Sequence, residues 1–214
     1  MQKQRKLQYI AVDGPIGAGK ATLVKMLAED LGGETLFETS DKNPFLHDFY
    51  KNPKENAFKA QIYFLLNRFQ QQADLKQRDM FGPETIVCGY TFAKDWIFAK
   101  LNLSEEEFHL YSIIFDTLRP KLPTPDLVIY LKADSKVMLK RIKKRGWSFE
   151  KPITHDYLDK LTESYNQFFL NYNEAPLLVV DTSHTDYQNN PTDFENLKRS
   201  IVTHRGGTTH LISR

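Results

Sequence analysis

A single cysteine, Cys88, stands in this 214-residue chain, so no disulfide can form within it and no cysteine cluster can hold a metal. The six histidines show no metal-ligand spacing. No apolar run approaches the roughly 20 residues of a membrane span. The start, MQKQRKLQYIAV, is basic, but its apolar part is too short for a secretion-signal core. Charge of one sign is also missing. The 29 lysines and arginines face 27 acids and leave a net +2, too little to suggest a nucleic-acid or membrane partner, whereas small anions remain candidates. These absences read together as a cytoplasmic protein. Hydrophobic residues at 41% and charged residues at 26% argue against a disordered chain. With no linker, repeat or low-complexity segment, residues 1–214 are expected to form one domain.

The most informative absence is one hydroxyl. GPIGAGKATL, Gly14 to Leu23, follows an apolar strand-like run, Leu7 to Val12 with Asp13 at its end. It feeds a helix-like run, Thr22 to Leu31, closed by Gly32-Gly33. This is the context of a phosphate-binding loop, G-x-x-x-x-G-K-[ST]. Gly14, Gly17 and Gly19 let backbone amides close around a phosphate, the helix N-terminus adds partial positive charge, and Lys20 reaches the β/γ-phosphates. The last motif position, whose hydroxyl would hold magnesium, is Ala21. A methyl group cannot coordinate a cation, and Thr22 points about 100° away around the helix.

Further along, strands are expected at Thr35 to Phe37, Thr85 to Cys88, Asp126 to Leu131 and Leu177 to Asp181. Helices are expected near Pro44 to Leu46 and over Phe58 to Gln77, Ser104 to Leu118, Ser135 to Arg145, Tyr157 to Tyr172 and Thr192 to Val202, the last opening at Pro191 or Thr192. Ser104 and Glu107 form a capping box. Near-continuous apolar strands alternating with helices predict a parallel sheet covered on both faces. Gln61, Leu65 and Arg68 share one helix face. Glu38, at the carboxyl end of the second strand, faces the crevice of such a sheet and can accept a proton from an attacking hydroxyl. Arg141 and Arg145, one turn apart, precede Gly146 and Glu150 in the pattern of a lid over a transferring phosphoryl group. A solvated basic helix is the competing reading of that stretch. Cys88 reads as a packing residue and Trp147 as part of the lid.

Together DGPIGAGKATL, FETSDKNPFLHDFY, AFKAQIYFLLNRF, FAKDWIFA, PDLVIYL, LKRIKKRG and VVDTSHTDYQNNPTDF resemble the deoxynucleoside kinases over nearly the whole chain. The resemblance implies a P-loop NTPase-like three-layer α/β fold with a five-stranded parallel sheet. It also implies an ATP site at the loop, a deoxynucleoside beside Glu38, and usually a dimer. Glu38 matches the catalytic base, Gln61 the glutamine on the base edge, and Arg68 an arginine near the base. Arg141 and Arg145 match lid arginines, Glu150 the acid that contacts the deoxyribose, and Asp186-Tyr187 the loop against adenine.

Departures from the family concentrate at the reacting centre. Its G-K-S-T is Gly19-Lys20-Ala21-Thr22 here. Its [Asp/Glu]-Arg-Ser triplet is Cys88-Gly89-Tyr90. Lys94 stands where the family often places an aspartate facing the base, and Asp95 compensates only if the backbone slips by one residue. Lys94 near Arg68 would set two like charges together and favour an anion over a neutral purine. The lid R-G-R is Arg145-Gly146-Trp147, and Thr39 replaces the proline usual after Glu38.

Phosphoryl transfer relies on positioning and charge stabilisation, and removing one preorganised donor costs on the order of 10²–10³ in turnover. Such losses need not add. They tilt the reading toward a nucleotide-binding, catalytically impaired member, a pseudokinase acting as a homodimer or beside an active paralogous subunit, with ATP as ligand and magnesium deprived of its loop hydroxyl. Two alternatives stay open. One is an active deoxynucleoside or nucleotide kinase in which Asp13 helps hold magnesium and Glu38 remains the base. The other is a scaffold that binds nothing.

Overall fold

The computed structural model describes residues 7–78, 85–187 and 189–211, so the basic start of the chain lies outside the described residues. Six strands, all parallel, make one sheet: β1 (Tyr9–Asp13), β2 (Glu34–Leu36), β3 (Ile86–Cys88), β4 (Leu127–Lys132), β5 (Leu177–Asp181) and β6 (Thr208–Leu211), in the spatial order β2-β3-β1-β4-β5-β6. The helices are α1 (Lys20–Leu31), α2 (Leu46–Lys51), α3 (Pro53–Arg78), α4 (Ala93–Asn102), α5 (Glu105–Leu118), α6 (Ser135–Arg145), α7 (His155–Leu170) and α8 (Pro191–Thr203).

The sheet has one strand more than the expected five. β6 follows Gly206 and Gly207, both at positive φ, and it pairs with β5 from Leu177↔Thr208 to Val180↔Leu211. Its Thr-Thr-His-Leu sequence is short and mostly exposed, as an edge strand permits, so no apolar run announces it. Helix α4 was also unforeseen, because the apolar positions of Ala93–Asn102 blend into the turn before it.

Strand alternation builds the core on both faces. Ile10, Val12, Ile129, Leu131, Leu178 and Val180 pack with Leu23, Val24 and Leu27 of α1, Met138 of α6 and Leu197 of α8. Ala11, Val128, Tyr130 and Val179 face Leu161, Tyr165 and Phe169 of α7 and Ile97 of α4. Tyr130 and Phe169 stack at 4.5 Å between ring centroids. Each fully buried aliphatic side chain of this kind is worth about 1.5–3 kcal/mol, which makes the central strands a rigid base. In a separate cluster, Leu65 of α3 joins Phe92, Tyr111 and Phe115.

The carboxyl ends of β1, β2 and β3 open on one crevice, where the strand order turns back on β1. The capping box of α5 is present, with the Glu107 amide donating to Ser104 Oγ at 3.3 Å and the Ser104 amide donating to Glu107 Oε2 at 3.0 Å. Asn190, one residue before the expected start, caps α8 and leaves Pro191 at its first position.

Candidate active site

The loop after β1 needs its glycines. Gly14 has φ 147°, and a Cβ there would stand 2.1 Å from the Leu131 carbonyl oxygen; at Gly17, φ 85°, a Cβ would stand 2.7 Å from that of Met138. Lys20 Nζ donates to the carbonyl oxygens of Gly14 at 2.7 Å and Pro15 at 2.8 Å, curling back over the loop. Burial, helped by the nearby Lys94 charge, pushes the Lys20 ammonium down to about 7 against the pull of Asp13 and Glu38. A cavity of about 830 Å³ joins this loop to the crevice. Ala21, Thr22, Glu38, Gln61, Arg68, Lys94, Arg141, Arg145, Glu150, Asp186 and Tyr187 all line it, together with Gly17, Gly19 and Lys20. Nucleotide-loop and crevice residues named from sequence therefore share one space, while Gly14 sits behind them.

Glu38 follows β2 and is held between two cations. Arg68 of α3 donates to one of its oxygens and Lys94 of α4 to the other. Burial opposes the charge of Glu38, but Lys94 and Arg68 outweigh burial and hold the carboxyl well below the usual carboxylate range. The second Arg68 nitrogen donates to Asp95, which is fully buried. Asp95 Oδ2 has no hydrogen-bond partner among the described residues, and burial pushes this carboxyl up to about 7 despite Arg68. The expected clash of like charges is thus corrected: Glu38 lies between Lys94 and Arg68, and Asp95 balances Arg68 from behind.

Gln61 is buried and on the cavity wall, with no hydrogen bond to another described residue. Arg141 is not a free lid arginine. Its Nη1 donates to Thr182 Oγ1 at 3.1 Å and to the Ala18 carbonyl at 3.3 Å, and its Nη2 donates to the Thr182 carbonyl at 2.8 Å, tying α6 to the phosphate loop. Arg145 grips Glu150 through two parallel bonds, Nε to Oε2 at 3.1 Å and Nη2 to Oε1 at 2.5 Å. Its guanidinium lies 4.3 Å from the Trp147 ring centroid, so the tryptophan packs the lid from its half-exposed position. The Asp186 carboxylate accepts from the amide and side chain of Asn189, which stiffens the loop carrying Tyr187.

Magnesium, which a phosphate loop implies, does not fit the residues present. Ala21 offers a methyl group and Gly89 no side chain. Asp13 is fully buried and saturated: Oδ1 accepts from the Gly14 amide and the Tyr165 hydroxyl, Oδ2 from the amide and hydroxyl of Thr91. The expected alternative, Asp13 helping to hold magnesium, would therefore require Asp13 to give up donors that it holds here. Among the described residues no group of three His, Cys, Asp or Glu could hold a metal ion. Cys88 is fully buried, and burial pushes its thiol up to about 12, which leaves it an inert packing residue. Gly89 gives its space to the Phe37 ring, and Tyr90 donates to Gln71 Oε1 at 2.7 Å.

The sheet order, the glycine loop on β1 and the crevice beside it define the P-loop nucleotide-binding class of α/β proteins. The chain belongs to the deoxynucleoside kinase family, whose family model matches residues 10–204. It is 36% identical over 197 residues to a deoxyguanosine kinase of Bacillus subtilis (strain 168), covering 90% of this chain and 95% of that one. It is 31% identical over 205 residues to the deoxyadenosine/deoxycytidine kinase of the same organism, covering 92% of this chain and 93% of that one. Among solved structures, deoxyadenosine kinase from M. mycoides with bound dCTP superposes with a TM-score of 0.76 at 32% identity, covering 90% of this chain and 97% of the other. The same kinase with bound dATP gives 0.76 at 32%, covering 90% and 98%.

The role of Lys94 was the largest feature missed. The Lys94–Glu38 contact spans 56 positions and depends on α4, whose opening FAKD is not apolar enough to read as a helix start. The adjacent opposite charges of Lys94 and Asp95 ahead of an apolar run were the available signal.

Proposed function

We propose that this chain is a single-domain member of its family that binds ATP, and a deoxynucleoside in the crevice, while transferring phosphate poorly or not at all, and that it works through a partner subunit. The observation that carries this is Glu38 itself. Cationic donors hold both oxygens of this base, and one must yield before it can take a proton from a hydroxyl. The saturated Asp13 and the missing side-chain oxygen at Ala21 support the same reading, because charge stabilisation is most of phosphoryl-transfer catalysis. In this reading Gly14, Gly17, Gly19, Lys20 and Thr22 hold the phosphates. Asp186 and Tyr187 border the adenine, Gln61, Arg68 and Glu150 border the nucleoside, and Glu38, Arg141 and Arg145 occupy the catalytic positions.

The alternative, an active deoxynucleoside kinase, is favoured by one observation: Lys20, Glu38, Arg141, Arg145 and Glu150 all line the same cavity. Calorimetric titration of ATP, followed by turnover with each of the four deoxynucleosides on the same sample, separates the two. Binding without turnover is the expected result. Magnesium-dependent turnover above about 0.01 per second, far beyond what the missing groups should allow, would sink the impaired reading.

A further inference from the structure

The cavity lining carries more lysines and arginines than carboxylates, and among the described residues no group of three His, Cys, Asp or Glu could hold a divalent cation by itself. One cation is placed differently from the rest. Lys94, in the first turn of α4, is only 5% exposed, and its side chain reaches the cavity wall. Its Nζ donates to Glu38 and has no other acceptor among the described residues. The ammonium lies 5.6 Å from the centroid of the Phe98 ring, which restrains it. After burial, its charge is the largest influence on the Lys20 ammonium, and both lysines line the same cavity. An ammonium has three donors, and Glu38 occupies one. Glu38 at the same time offsets the cost of burying the charge.

We infer that Lys94 supplies, as a fixed ammonium, the positive charge that a divalent cation would bring to the terminal phosphates, so that this chain binds a nucleoside triphosphate without magnesium. The inference rests on the reading above that the chain binds ATP. It adds the residue responsible and the form of the ligand. A metal-free triphosphate carries more negative charge than its metal complex, which matches a lining rich in cations and poor in oxygen ligands. Glu38, to which the lysine is tied, occupies the position of the catalytic base in the reading above, and in that reading its hydroxyl partner and the outer end of the phosphate chain meet beside it. ATP should therefore gain more from it than ADP.

The test is calorimetric titration of ATP and ADP, in EDTA and in excess magnesium, into the unaltered chain, Lys94→Met, Lys94→Arg and the double variant Lys94→Met/Glu38→Gln. For the unaltered chain, ATP affinity is expected to be equal or tighter in EDTA. Lys94→Met should weaken ATP in EDTA by about tenfold or more, the usual value of a charge-assisted hydrogen bond, and weaken ADP less. Lys94→Arg should retain most of the affinity, and it carries the comparison if the methionine variant fails to fold. The double variant removes the carboxylate that Lys94 neutralises. A persistent loss there assigns the effect to the ammonium itself, whereas recovery to the original affinity would overturn the inference. ATP binding that requires magnesium would also overturn it while leaving nucleotide binding intact. No ATP binding in either buffer would remove both this inference and the reading beneath it.

Discussion

Thr91 donates both its backbone amide, at 2.9 Å, and its hydroxyl, at 2.5 Å, to the same oxygen of Asp13. This clamp joins the end of β1 to the turn after β3, and with the Gly14 amide and Tyr165 hydroxyl it makes Asp13 a structural keystone of the phosphate loop. Thr91→Val removes one donor and should cost about 1 kcal/mol, while Asp13→Ala strands several buried donors and should cost about 3 kcal/mol or more. Urea denaturation measures both. An Asp13→Ala chain as stable as the original would show that the carboxylate is not holding the loop.

Arg68 bridges two carboxylates that have little water to fall back on. Its side chain is 4% exposed, and those of Asp95 and Glu38 are 0% and 23% exposed. Arg68→Met leaves Asp95 to be buried as the neutral acid and removes hydrogen bonds to two carboxylates, and it should destabilise by about 1–3 kcal/mol at pH 7. Adding Asp95→Leu removes the polar group left without its partner and should recover much of that loss, because Glu38 keeps Lys94. A double variant no better than Arg68→Met alone would mean that the arginine acts through packing on Phe64, 4.8 Å from its guanidinium, rather than through charge.

Glu38 sets a pH dependence with a definite sign. Its folded-state carboxyl is held below the ordinary 4.5 of the unfolded chain by Lys94 and Arg68, which outweigh burial. The folded state therefore binds fewer protons, and stability from Glu38 is fully present above about pH 4.5 and drains away as pH falls toward the depressed folded value. Glu38→Gln abolishes that contribution. The difference in unfolding free energy between the two chains should be large at pH 7 and shrink steadily between pH 4.5 and pH 3. A constant difference over that interval would contradict the two-cation clamp.

What could be read in the sequence was whatever is local. The loop GPIGAGKATL, the span of α6 from Ser135 to Arg145 and the strand Leu177–Asp181 carry their own periodicity, turn glycines and end signals, and all three lie where expected. Gln61, Leu65 and Arg68 also share a buried face of α3 as their spacing requires. What stayed hidden depends on pairing across long separations. β6 is an edge strand whose partner is β5, so its own residues carry little apolar signal. Asp13 looked like a free carboxylate because its donors Thr91 and Tyr165 lie 78 and 152 positions away. Asp95 could be matched to Arg68 only once α4 had turned it inward, and the same turn delivers Lys94 to Glu38.

Restoring the lost oxygen ligands tests the impaired reading from the opposite side. Ala21 is exposed on the cavity wall, so Ala21→Ser should change stability by less than about 0.5 kcal/mol and leave the fold as a control. By itself it should also leave turnover no higher than that of the unaltered chain, since a single hydroxyl beside the saturated Asp13 does not make a metal site. Of the triplet Cys88-Gly89-Tyr90, Gly89 is the member on the cavity wall, and its φ is not in the left-handed region. A Cβ there would meet Phe37 Cδ1 at 3.1 Å, so the ring has to give by a few tenths of an ångström. Ala21→Ser with Gly89→Asp therefore places a hydroxyl and a carboxylate on the same cavity and should raise magnesium-dependent ATP consumption by about 100-fold or more over either single variant, a gain beyond additivity. ATP binding in the double variant should become magnesium-dependent as well, because the new carboxylate repels the bare triphosphate. If the unaltered chain already matches the double variant in turnover, the missing ligands were never limiting and the chain is an ordinary kinase.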